Sequence, residues 1–200
     1  MPKRFSLVLI KPSHYDDDGY VIQWFRSAIP SNTLAVMNGL ALDCNERRVL
    51  GEDVEIEISA FDETNTHIRA DRIARKLRGR PGLVALIGVQ SNQYPRAMDL
   101  ARKFRAAGVQ VAMGGFHVSG CLSMLPELTP ELKEAMDLGI SLFAGEAESV
   151  ELGVSNEVFP DKRGYPPVQP PATCLFNATP EDHTNMQAGN DGPAAVSNAT

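Results

Sequence analysis

The sequence predicts an α/β domain over residues 1–148, a doubly wound sheet of five parallel strands, followed by an irregular or disordered tail over residues 149–200. Two observations carry this. Short apolar runs alternate with segments of helical period between residues 5 and 145, the pattern of successive βαβ units. The composition then changes near residue 150. Residues 151–200 hold seven of the 14 prolines and end in HTNMQAGNDGPAAVSNAT, with no period of 2 or 3.6.

Each element has its own signal. FSLVLI (5–10) is a short apolar run closed by Lys11-Pro12, read as strand one. Residues 31–50 open on a capping residue, Ser31 or Asn32, and place Leu34, Met37, Leu40 and Ala41 at helical spacing. VEIEISAF (54–61) alternates strictly, as a half-exposed edge strand does. HIRADRIARKLRG (67–79) is a basic amphipathic helix stopped by Gly79. GLVALIGV (82–89) is a continuous apolar run, expected of a central parallel strand. Residues 94–108 form a helix with Pro95 in the first turn and Gly108 as the stop. VQVAMGG (109–115) is strand four. Residues 129–139 form a helix with a Thr129 cap and Pro130 first, and ISLFAG (140–145) is strand five.

Composition narrows the function. Hydrophobic residues make up 43% of the 200-residue chain, enough for a core. The net charge is −6, against a general nucleic-acid surface. Six acidic and two basic residues give residues 151–200 a charge of −4, which leaves −2 for residues 1–150. No apolar run approaches the roughly 20 residues of a membrane span, so no membrane partner is expected. Cys44, Cys121 and Cys174 are scattered and fit neither a disulfide framework nor a CxxC metal site. No metal ligands are expected, and a reducing cytoplasm is the expected location.

Ligands of doubly wound sheets sit at the carboxyl ends of the strands. The loops there read KPSHYDDDGY, DETN, QSNQYP, GGFHVSG and GEAE. Asp16, Asp17 and Asp18 read as a solvated loop. A receiver-type acidic pocket is rejected, because Gln90 and Gly145 stand where its Asp and Lys would be. No GxGxxG follows strand one, so a dinucleotide site is not indicated. Gly114-Gly115 fits either a tight turn or close approach of backbone to a ligand. His117 alone reads as a hydrogen-bonding loop residue rather than a metal ligand. The polar, uncharged Gln90, Ser91, Asn92 and Ser119 suit a large, flat, amide-rich ligand. No Ser/His/Asp spacing, Cys/His cluster or CxxxCxxC iron–sulfur motif is read in the chain.

The pair MGGFHVSG and FAGEAE, about 30 residues apart, resembles the N-terminal cobalamin (vitamin B12)-binding domain of B12-dependent radical SAM proteins. Gly114, Gly115 and His117 match a GG-x-H loop after strand four of that family; Gly145, Glu146 and Glu148 match a GE-x-E segment after strand five. The resemblance covers residues 4–148 and implies a flavodoxin-like sheet of order 2-1-3-4-5 holding cobalamin base-off. The nucleotide tail would pass the strand-four glycines, and the corrin would rest on the loops after strands one and three.

The cofactor contacts so implied are Ser13, His14, Tyr15, Gln90, Ser91, Asn92, Gly114, Gly115, Phe116, His117, Ser119, Gly145 and Glu146. The cobalt-ligating DxHxxG loop is broken, with Pro12 for the Asp and Asp17 for the Gly, so His14 is expected to contact the corrin rather than ligate cobalt. In the full-length family a radical SAM barrel follows, with a 4Fe–4S cluster and S-adenosylmethionine, and methyl transfer is a common outcome. Residues after Glu148 match no such barrel, and a truncated or frameshifted reading frame is one expectation for that break. The module is therefore expected to be non-catalytic alone, with cobalamin and a radical SAM domain or subunit as partners. A remnant enzyme served by an external iron–sulfur subunit, and a flavodoxin-like binder of flavin or nucleotide phosphate, are the alternatives.

Overall fold

The structure is a computed structural model that describes residues 3–25 and 31–145. Contacts divide the chain into Met1–Ala147 and Glu148–Thr200. The expected tail, Cys174, Glu146 and Glu148 lie outside the described residues.

The elements run β1 (Lys3–Lys11), α1 (Asn32–Glu46), β2 (Val54–Asp62), α2 (Ala70–Leu77), β3 (Gly82–Leu86), α3 (Tyr94–Ala106), β4 (Gln110–Gly114), α4 (Phe116–Met124), α5 (Pro130–Asp137) and β5 (Ser141–Phe143). The five strands form one parallel sheet in the order β2-β1-β3-β4-β5, a flavodoxin-like arrangement. The alternating strand β2 takes an edge, as its half-polar pattern requires, and the uniformly apolar β3 sits in the centre.

Side chains alternate across the strands. Val8, Ile10, Val84, Leu86, Val111, Met113 and Ile140 point to one face, where they pack with Leu77, Met98, Phe104, Val118 and Leu132 of the helices. Leu7 and Leu9, both fully buried, point the other way, and α1 lies against β1 and β2. Burying both faces is what makes the β1 and β3 runs continuously apolar.

Helix ends follow local chemistry. The Ser31 hydroxyl accepts from Leu34 N at 3.2 Å, which resolves the choice between Ser31 and Asn32 as the α1 cap. Replacing Ser31 with alanine should cost about 1 kcal/mol in urea denaturation. Thr129 caps α5 in the same way, with Pro130 next, as the sequence predicts.

One element departs from expectation. GGFHVSG is not a loop: α4 begins at Phe116, immediately after the Gly115 cap. Glycines at both ends of that stretch resemble turn signals, but the second, Gly120, sits inside the helix. His117 and Cys121 therefore lie four residues apart on one helix, a relation that a loop would not impose.

Between β1 and β3 the sheet order reverses, the switch point at which ligands of such folds collect. The segments after these two strands and after β4 and β5 make up the carboxyl edge.

Candidate functional site at the carboxyl edge

The edge has two halves. Over β1 and β2 it is closed by a buried polar network. Glu63, just past β2, is 0% exposed. Arg96 of α3, 8% exposed, donates to it from Nε at 3.2 Å and from a terminal nitrogen at 2.6 Å. Ser13 N donates to the same carboxylate at 3.1 Å, and the Ser13 hydroxyl donates to Ile22 O at 2.5 Å. The Tyr15 hydroxyl donates to Asp99 at 2.5 Å and accepts from Arg96 at 3.3 Å. Burial, then the Asp99 hydrogen bond, holds the Tyr15 phenol above its ordinary range. Burial alone would weaken the Arg96 cation, but hydrogen bonds to Glu63 and Tyr15 outweigh it and raise its pKa.

This network folds the segment after β1 back over β2. Tyr15 bridges Val21, and Asp16 accepts from Asp18 N and Tyr20 N to shape the turn between them. The acidic run is thus a surface turn, the solvated loop the sequence predicts. Ser13 is fully buried and Tyr15 is held by Asp99 and Arg96, so both are occupied in positioning the loop. His14 joins the turn through its carbonyl, which accepts from Ile22 N.

Over β3, β4 and β5 the edge is built by close packing. Gly115 has φ +140°, and a Cβ there would lie 2.2 Å from Val89 N. Gly114 has its Cβ space against Phe143, at 3.2 Å. Gly115 is thus required by the fold, its side-chain space filled by the Val89 backbone just past β3, while Gly114 sits close against Phe143 of β5. Val89 N donates to Gly114 O and His117 N donates to Val89 O, which locks the start of α4 to the segment after β3.

The rim of this half is polar and continuous. Gln90, Ser91 and Asn92 are exposed in the turn leading to α3. Ser91 meets His117 Nδ1 at 3.2 Å, which ties this turn to α4. The Ser119 hydroxyl accepts from Gly145 N at 3.1 Å, which ties α4 to the segment after β5. Phe116 stands 74% exposed beside them. Of the thirteen expected contacts, this half gathers Gln90, Ser91, Asn92, Gly114, Gly115, Phe116, His117, Ser119 and Gly145; Ser13, His14 and Tyr15 belong to the other half.

His117 does not open onto the rim. Its side chain is 11% exposed, with the Tyr94 ring packed against it, tilted by 40° at 4.3 Å between ring centroids. Its Nε2 lies 3.3 Å from a Glu131 carboxylate oxygen and 3.8 Å from Cys121 Sγ. The Tyr94 hydroxyl donates to Glu131 O at 2.8 Å, so α3 and α5 are pinned around the imidazole. Burial, then the nearby Glu131 charge, pushes the Cys121 thiol up. A raised thiol is a poor nucleophile, which argues against a Cys–His catalytic pair.

Sequence reasoning missed Glu63, Arg96, Cys121 and Glu131. HVSGC at positions 117–121 carries an i, i+4 His/Cys signal, legible once the segment is read as helix. No signal pairs Glu63 with Arg96, which meet only in the folded chain.

No protein-family model matches this chain, and no match is found among curated proteins or solved structures.

Proposed function

We propose that the carboxyl edge over β3, β4 and β5 binds cobalamin base-off, with no histidine of this chain on cobalt, as a module that is not catalytic alone. The observation that supports it most is the rim itself. The GG-x-H segment runs from the end of β4 into α4 and Gly145 stands just past β5, tied to α4 by the Ser119–Gly145 hydrogen bond at 3.1 Å. The corrin periphery is a ring of amides around a flat apolar disc. Gln90 and Asn92 offer matching donors and acceptors, and exposed Phe116 offers apolar cover.

The packing limits how the cofactor sits. The contact of Gly115 with Val89 leaves no passage between them, so in this reading the nucleotide tail passes outside it. Methyl transfer or other radical chemistry would need a radical SAM domain or subunit, because this chain contains no CxxxCxxC. A cytoplasmic setting goes with this reading. Among the described residues, no helix is long and apolar enough to cross a membrane.

Purified chain mixed with hydroxocobalamin should keep a red chromophore through desalting, and bound cob(II)alamin should show no axial-nitrogen splitting in electron paramagnetic resonance. A colourless protein sinks the proposal. Retention of flavin mononucleotide instead would favour the flavin reading.

A further inference from the structure

We propose that His117, Cys121 and Glu131 form a site for a divalent transition-metal ion, best suited to zinc, between α4 and α5. The three potential ligand atoms lie within 4.8 Å of one another. Tetrahedral zinc, with bonds of about 2.0–2.3 Å to N, O and S, sets its ligand atoms roughly 3.3–3.8 Å apart. The structure has His117 Nε2 3.3 Å from Glu131 Oε1 and 3.8 Å from Cys121 Sγ. The His117–Glu131 separation matches, the His117–Cys121 separation is at the long end of the range, and the third pair lies within 4.8 Å, with Glu131 half-exposed.

The surroundings favour ligation in three ways. His117 and Cys121 are four residues apart on α4, so the helix presents both on one face. Ser91 lies 3.2 Å from Nδ1 and can accept a hydrogen bond from Nδ1–H, which leaves the Nε2 lone pair toward the other two ligand atoms. Tyr94 packs on the ring and fixes its plane. A thiolate and a carboxylate neutralise a divalent charge, and the set of N, S and O donors selects zinc over magnesium or calcium. The Cys121 thiol gives its proton to solvent as the metal–sulfur bond forms. Three protein donors leave a fourth position for water.

The metal site shares His117 and Ser91 with the rim, but its other two ligands, Cys121 and Glu131, lie outside the expected cobalamin contacts. At about 100° per residue, Ser119 and Ser123 fall on the opposite side of α4 from His117 and Cys121, and Phe116 is turned about 100° from His117. Its occupancy would brace α4 against α5 beneath the rim.

The experiment is a titration of the full, tag-free, reduced chain with Co2+, a spectroscopic stand-in for zinc, without cobalamin. One equivalent should produce tetrahedral d–d bands and a thiolate-to-cobalt charge-transfer band, both bleached by zinc. Cys121→Ser should abolish the charge-transfer band while Cys174→Ser keeps it. Glu131→Gln, at an exposed position, should weaken binding by about tenfold or more with the circular dichroism unchanged. An octahedral spectrum without the charge-transfer band would overturn the proposal. So would a band that survives Cys121→Ser, or an affinity unaltered by Glu131→Gln.

Discussion

Gly115→Ala should abolish cooperative folding or cost about 4 kcal/mol or more, the range reserved for failures of packing and backbone. Three effects add. With φ +140° and ψ −172°, Gly115 lies in a region that is almost exclusively glycine's, and another residue there costs on the order of 1–3 kcal/mol. The new methyl carbon would lie 2.2 Å from Val89 N and 2.7 Å from Gly88 C, both backbone atoms that cannot rotate away. Separating them breaks the Val89 N–Gly114 O and His117 N–Val89 O hydrogen bonds, each worth about 0.5–1.5 kcal/mol. Gly120 is the control. It lies inside α4 with nothing within 4 Å of an added Cβ, so Gly120→Ala should stabilise by about 0.5–1 kcal/mol. Urea denaturation of the two variants reads both. Equal stability in both would show that the β3–β4 contact is loose. The comparison also bars Gly115 variants as probes of cofactor binding, because they fail in the fold first.

Arg96→Met should destabilise by about 3–5 kcal/mol, the cost of leaving a buried carboxylate without its cation. Glu63 is fully buried and Arg96 is its paired charge at 2.6 Å. Since whole domains are stable by only about 5–15 kcal/mol, this single change removes a large part of the margin. Adding Glu63→Leu to Arg96→Met should recover most of the loss, because no unpaired charge remains. Recovery should stop short by about 1–3 kcal/mol, since Ser13 N then loses its acceptor. Additive losses in the double variant would mean the pair is solvated. The segment after β1 should also become cleavable by protease in Arg96→Met, because the guanidinium holds Tyr15.

What the sequence made legible follows from the range of each signal. Period and composition are local, so the five strands, the edge position of β2 and the Thr129 cap could be read directly, and the α1 cap could be narrowed to Ser31 or Asn32. Helix α4 could not. It is nine residues long, opens on a glycine whose conformation depends on Val89, and contains a second glycine. Reading it as a loop hid the His117–Cys121 relation and left His117 as an isolated residue. Glu63 and Arg96 are 33 positions apart, and only folding joins them. The glycine pair fits either a tight turn or room for a ligand, and the packed chain sets the Val89 backbone against Gly115 and Phe143 against Gly114. The rim residues after β3 and β4 could be found in sequence because their place follows from topology: polar residues after adjacent parallel strands meet at the carboxyl edge.

The central claim is that this rim holds cobalamin. The direct test is equilibrium binding of hydroxocobalamin to the full chain and to an Asn92→Arg, Phe116→Glu variant. Both positions are exposed, so the fold should survive and circular dichroism should be unchanged. The expected result is saturable one-to-one binding by the native chain and a loss of roughly tenfold or more in the variant, as befits losing a central contact. No saturable binding by the native chain, or equal binding by both proteins, would contradict the claim.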